Sequence, residues 1–283
     1  MRAPHASVVV NAPDRLLAAA AEEWDLRPEG PVRDLPRPGM PVRTTDGRAA
    51  LLEHAPDRSP HEHLALRAWD GTGAVRLLRA DPRRHLLLTE RTGPDDDLRA
   101  LDPWEACTQV GTLYAVLHRS PIPQPPRLAD LAPRWLADLG LPAVGAAVPR
   151  RFLEQVRSWT PGLVDPAEAE PVLLHGDLRP ATVRAVADGG WRAVAPRPVT
   201  GDPAYEVAAV LARWEGAEGS ADLRGDLLER FYAVVDAAGL DEDRARAWVV
   251  VRTVVELAAL LATGAGSAEQ VTWATTVVKA VQR

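Results

Sequence analysis

The sequence predicts an α+β protein in which a small mixed α/β region precedes a mostly helical one. Two observations carry this. Short apolar runs broken by turn signals, above all Asp46-Gly47, occur before residue 92. After residue 100, helical periodicity dominates, with proline or aspartate at the helix starts. A third observation concerns a single exception to the helical half. The stretch Leu173-Leu174-His175-Gly176-Asp177-Leu178-Arg179-Pro180 reads as a strand ending in a polar turn that presents Asp177, with a second short apolar run behind it at Trp191–Pro198.

Taken in order, Ala12 to Trp24 is an amphipathic helix with Leu16, Leu17 and Ala21 on one side. The segment Asp34-Leu35-Pro36-Arg37-Pro38-Gly39-Met40-Pro41 has three prolines, each with fixed φ and no N–H, and reads as a loop or ragged edge rather than a ladder. Pro41 to His54 is a hairpin turning at Asp46-Gly47. Pro60 to Trp69 is a helix with proline in its first turn. Asp70–Leu78 and His85–Arg91 are strands, and Thr92–Asp97 is a polar break read as a hinge. Helices follow at Leu101–Arg119, Leu128–Leu139 and Arg150–Trp159, with a proline-rich connection at Pro121–Pro126. Asp202-Pro203 caps another that runs to about Trp214. Asp222–Ala238, Asp241–Thr263 and Ser267–Val281 complete the chain. The expected division is residues 1–93 and 94–283, with the turn segment at 173–206 in the second part.

Composition limits the function classes. A net charge of −6 over 283 residues lacks the basic field a nucleic-acid binder carries. No apolar run nears the roughly 20 residues of a spanning helix, and the start of the chain lacks a signal-peptide core. The expectation is a cytoplasmic protein that engages neither nucleic acid nor membrane. One cysteine, Cys107, permits no internal disulfide and sits in a helix-period run as a small core residue. Lys279 is the only lysine and Asn11 the only asparagine, so a site that needs an internal Lys or Asn has one candidate of each.

The motif His175-Gly176-Asp177, the segment Trp24-Asp25-Leu26-Arg27-Pro28-Glu29-Gly30 and the later Gly201-Asp202-Pro203 resemble the aminoglycoside phosphotransferase family, and within it the streptomycin/hydroxyurea phosphotransferase branch. The resemblance implies a bilobal, protein-kinase-like fold and ATP-dependent phosphorylation of a small-molecule hydroxyl. It assigns the base to Asp177, with His175 beside it. It also implies a lysine on the second strand of the hairpin, a helix glutamate that pairs with it, an asparagine five residues after the base and a later aspartate, the last two holding magnesium. Here those four positions carry Glu53, Glu62, Thr182 and Ala195. A carboxylate at Glu53 would meet phosphate oxygens, and like charges about 4 Å apart repel by about 4 kcal/mol at an effective dielectric of about 20. With Glu53 opposite, Glu62 loses its cationic partner. Thr182 and Ala195 remove the oxygen donors a magnesium ion requires.

These departures point to a catalytically degenerate phosphotransferase, a pseudokinase that binds a small molecule or a protein partner without metal or nucleotide cofactor. The alternative is an active antibiotic kinase using MgATP, with Asp177 as base, Arg43, Arg48 or Arg58 in place of the lysine, and Asp202 helping to hold metal. A cationic aminoglycoside would call for a negative cleft in the helical half, which the net charge permits. Among other candidates, Asp202 reads as a helix cap, and His54, His61 and His63 as solvated or capping side chains. Asp95-Asp96-Asp97 reads as a solvated face. Arg179, Arg184 and Arg197 are possible anion contacts near the cleft.

Overall fold

A computed structural model describes residues 12–33, 37–56, 59–187, 189–212 and 217–282. Helix α1 (Ala12–Glu23) lies on a five-stranded antiparallel sheet of order β1-β2-β3-β5-β4, built from β1 (Arg27–Pro28), β2 (Gly39–Arg43), β3 (Ala49–His54), β4 (Leu77–Asp81) and β5 (Leu86–Glu90). Because strand side chains alternate faces, Met40, Val42, Ala50, Leu52, Leu86 and Leu88 point to one side and bury against Leu17, Ala20 and Ala21 of α1. The same alternation sends Gly39, Pro41, Leu51, Glu53 and Thr89 to the opposite face, which forms the roof of a cleft.

The proline-rich stretch departs from the expectation of a ragged edge. Gly39–Arg43 is a paired strand with Pro41 opposite Leu51. In an antiparallel ladder a residue's N–H and C=O point to the same neighbour. The Pro41 carbonyl accepts from Glu29 N on the β1 side (2.8 Å), so the missing N–H falls on that side and the pairing with β3 loses nothing. Upstream, Arg33 and Gly39 exchange two backbone hydrogen bonds of 2.9 Å, and both line the cleft. Positions 34–36 lie outside the described residues.

Helix α2 (Glu62–Trp69) ends where Asp70 adopts φ 44°, followed by Gly71 and Gly73 at positive φ. These turns delay the next strand to Leu77, so the strand expected at Asp70–Leu78 begins near that span's end. The polar break is itself a strand, β6 (Thr92–Asp97), paired with β8 (Val183–Val186), which in turn pairs with β9 (Trp191–Ala193). Asp97 is not a solvated face. It is buried, with its carboxylate 2.7 Å from Arg99 and 3.1 Å from Arg184. The side chains of residues 94–96 are not described.

The helical half comprises α3 (Pro103–Leu117), α4 (Leu128–Asp138), α5 (Pro142–Ala147), α6 (Arg150–Leu163), α7 (Leu223–Ala238), α8 (Glu242–Ala262) and α9 (Ala268–Val281). Most starts carry the expected signals. Asp102, Asp222 and Asp241 cap with their side chains, and Ser267 with Gln270 forms a capping box. Tyr114, Phe152, Phe231 and Trp248 fill the core between these helices. Strands β7 (Val172–Leu174) and β10 (Val199–Gly201) pair beneath the cleft, and Pro203–Leu211 is a 3₁₀ helix rather than the expected run to Trp214, a residue outside the description. Ala193 N to Gly73 O (2.8 Å) and Val75 N to Ala193 O (2.9 Å) bind the sheet side to the helical side.

Candidate active site

The cleft between the sheet and the β8–β9 hairpin encloses about 290 Å³. Its floor is apolar, with Val75, Val194 and Ala195, and Thr92 and Gly93 at its back. Arg33, Arg91 and Glu29 stand at the rim. Hydrogen bonds from Arg43 and Arg91 hold the Glu29 carboxyl down at about 2.

Deep in the roof the structure places a cation the sequence reading did not find. Arg37, two residues before β2, is 8% exposed and donates from Nε to Glu53 (2.7 Å) and from one terminal nitrogen to the other Glu53 oxygen (2.9 Å). Its second terminal nitrogen lies 3.0 Å from both oxygens of Glu62. The planar fork of arginine suits this double bidentate grip. Burial opposes the charge, but the carboxylates of Glu53 and Glu62 outweigh it and raise the Arg37 pKa above the ordinary value. The expectation that Glu62 has no cationic partner is therefore corrected. The partner comes from the loop and not from β3. The arginines named as substitutes are elsewhere: Arg43 is on Glu29, Arg48 is on Asp46, and Arg58 lies outside the described residues.

Asp177 sits on the turn after β7 with its side chain 21% exposed. Arg179 Nε lies 3.1 Å from one carboxylate oxygen, and Arg197 Nε is 4.0 Å from the other. His175 is fully buried. Its Nδ1 accepts from Asp177 N (3.3 Å), its Nε2 faces Val194 O (3.2 Å), and its ring stacks on Trp69. Paired with Asp177 as a catalytic candidate in the sequence, it is instead a positioning residue for the turn. Thr182 is also turned inward. Its hydroxyl lies 2.7 Å from Asp177 O and 3.0 Å from Arg179 O, and accepts from Arg179 N (3.0 Å). It therefore closes the loop on itself. Ala195 lines the cleft at φ 61°, a left-handed conformation costly for a non-glycine residue.

Beneath the loop, Glu206 is completely buried and takes hydrogen bonds from Gly176 N and His118 Nε2 (3.1 Å). The buried Arg252 donates to Gly176 O (2.8 Å) and Tyr205 O (3.2 Å). Sequence reasoning missed both residues, which hold the motif from below. Burial pushes the Glu206 pKa up, but the His118 hydrogen bond and charge, with His175 and Gly176 N, bring it below the usual 4.5. A pKa depressed on folding stabilises the protein above the unfolded value, and that contribution is lost as pH falls through the folded value. Glu206→Gln is expected to cost about 1–2 kcal/mol at pH 7. The gap to wild type should close below about pH 4.5 in urea titrations. A gap that stays constant down to pH 3.5 would contradict this.

The remaining candidates resolve simply. Asp202 caps the 3₁₀ helix through Ala204 N (2.9 Å) and accepts from Arg244 and the Trp248 indole, so it is structural. Cys107 is buried in the core, and desolvation raises its thiol to about 11. Among the described residues no group of three or more His, Cys, Asp and Glu side chains could hold a metal, His54, His61 and His63 included.

The family model for aminoglycoside/hydroxyurea antibiotic resistance kinases matches residues 24–264. The chain belongs to that family. It is 36% identical over 248 residues to a hydroxyurea phosphotransferase of Kitasatospora aureofaciens, covering 84% of this chain and 70% of that protein. It is 30% identical over 244 residues to a streptomycin 6-kinase of Streptomyces griseus, covering 84% and 79%. The solved structure of aminoglycoside phosphotransferase APH(4)-Ia superposes with a TM-score of 0.59 at 15% identity, covering 94% of this chain and 98% of that one. That likeness shows the bilobal, kinase-like fold.

Membership in this kinase family implies MgATP, and the donor set here does not suit it. Ala195 offers no side-chain oxygen. Thr182 spends its hydroxyl on the loop backbone. At the roof, Glu53 and Glu62 share one guanidinium, that of Arg37, while Arg33, Arg91 and Arg184 also line the cleft.

Proposed function

We propose that this family member is a pseudokinase whose cleft receives a small molecule or a protein segment without a nucleotide cofactor. The single observation that carries this reading is the saturation of Arg37 by Glu53 and Glu62. All three of its nitrogens are already engaged by carboxylate oxygens, so little of its donor capacity remains for phosphate. The modest volume of the cleft favours a compact ligand. No described helix is long and apolar enough to cross a membrane.

A second reading has one observation in its favour. Arg37 supplies a cation near the position the resemblance gives to lysine, and Asp177 stays partly accessible on a well-braced turn. In that reading the protein phosphorylates a small-molecule hydroxyl, with Asp177 accepting its proton. The hydroxyurea and streptomycin named for its relatives would be the first acceptors to try. Thermal unfolding with ATP, with and without magnesium, separates the two. The pseudokinase reading expects no metal-dependent rise in Tm and no ADP release. Turnover abolished by Asp177→Asn would overturn it.

A further inference from the structure

Of the strand side chains that form the roof of the interlobe cleft, only Glu53 and Thr89 are polar. Both oxygens of Glu53 are taken by Arg37. Thr89 differs. It is 2% exposed and lines the cleft, yet its hydroxyl makes no hydrogen bond among the described residues. Buried hydroxyls ordinarily find a partner, and one left without it is a standing cost that an incoming ligand removes. Strand register sets Thr89 opposite Leu51, and Leu51 opposite Pro41, so the hydroxyl stands at the end of an apolar row across the roof. At the back of the cleft the half-buried Thr92 brings a second hydroxyl with no hydrogen bond among the described residues.

The ions around this point are matched. Arg37 holds Glu53 and Glu62, Arg91 pairs with Glu29, and Arg184 pairs with Asp97. Arg33 has no such pairing but is exposed, and it lies three strand spacings from Thr89: it bridges to Gly39, Gly39 pairs with Glu53 on β3, and β3 pairs with β5. At about 4.8 Å per spacing the separation is roughly 14 Å. A charged group placed at Thr89 would therefore find no counter-ion.

We propose that Thr89 is the specificity-determining residue of this cleft, and that the ligand is a neutral amide or urea with a flat apolar body. The proposal rests on the reading that the cleft receives a small molecule without a nucleotide. A hydroxyl both donates and accepts, so Thr89 meets either the carbonyl or the N–H of such a head group. The body then lies between Leu51 and Pro41 above and Val75 and Val194 below. A site built to bond a polar head discriminates strongly against an analogue that leaves the buried group unpaired.

The test titrates benzamide, benzoate and benzamidine calorimetrically into the full chain. The three probes share a ring and differ in the charge of the head group. The expected result is saturable binding of benzamide, at least fivefold tighter than that of either ion and independent of magnesium. Thr89→Val keeps the branched shape and removes the hydroxyl, and should raise the benzamide Kd at least fivefold. Thr89→Ser keeps the hydroxyl and should stay within about twofold of wild type, a rescue that a purely packing role for Thr89 would not give. No saturable benzamide binding, equal binding by Thr89→Val, or tighter binding of either ion would overturn the proposal. MgATP turnover alongside Thr89-dependent benzamide binding would overturn the pseudokinase reading and uphold this one.

Discussion

Arg37→Ala is expected to destabilise the protein by about 3–5 kcal/mol, because it leaves Glu53 and Glu62 buried without their counter-charge. Both carboxylates are nearly inaccessible, 7% and 2% exposed, and each is gripped through two oxygens. The loss is therefore a desolvation penalty more than a missing attraction. The contrast is the surface pair Arg150–Glu154, with side chains 90% and 57% exposed, where Arg150→Ala should change stability by no more than about 0.5 kcal/mol. A triple replacement, Arg37→Met with Glu53→Leu and Glu62→Met, should recover most of the loss, since apolar packing often replaces a buried ion cluster at little cost. Urea unfolding of the variants reads all of this. If Arg37→Ala falls within the range of the surface variant, the cluster adds little to stability, and the charge argument for the cleft goes with it.

Gly176→Ala should be comparably damaging, at about 3 kcal/mol or more. A Cβ there would sit 2.0 Å from Arg197 O, a backbone atom that cannot rotate away because Arg197 N is bonded to His175 O at 2.8 Å. The residue also has φ 80°, which alone costs an L-residue roughly 1–2 kcal/mol. Gly47→Ala isolates that second term, for Gly47 has φ 86° and nothing within 4 Å of its would-be Cβ. The difference between the two variants then measures the clash. Equal shifts in urea midpoint would show that the Asp177 turn relaxes freely around residue 176, and that its bracing by Glu206 and Arg252 is weaker than the geometry indicates.

Most of the helical half was legible because its helices keep a 3.6-residue period and several carry a local start signal, whereas the six-residue α5 is too short to show a period and was not read. The other boundaries came within a few residues, from Asp102-Pro103 through Ser267 and Gln270. The hairpin at Asp46-Gly47 was legible for the same reason, since the turn chemistry is local. The misreadings share a cause. Pro41 was judged by its missing N–H, but which neighbour that N–H would have faced depends on β1, a strand of two residues with no periodicity of its own. Asp97 belongs to a run of acids that reads as solvated until Arg184, far along the chain, is folded against it. Arg37 is one arginine among many. Nothing near it in sequence marks it as the residue that bridges Glu53 and Glu62, 16 and 25 positions away. The His175–Asp177 motif was visible through resemblance, whereas Glu206 and Arg252, which support it from below, carry no motif.

The buried thiol of Cys107 has a practical use. It lies at zero exposure in the packed face of α3, with its ionisation pushed up to about 11, so it is nearly unreactive in the native fold. Alkylating reagents should modify it only during transient openings of that helix layer. Because the chain has no other cysteine, the rate of modification would count those openings one molecule at a time and report whether a bound ligand makes them rarer.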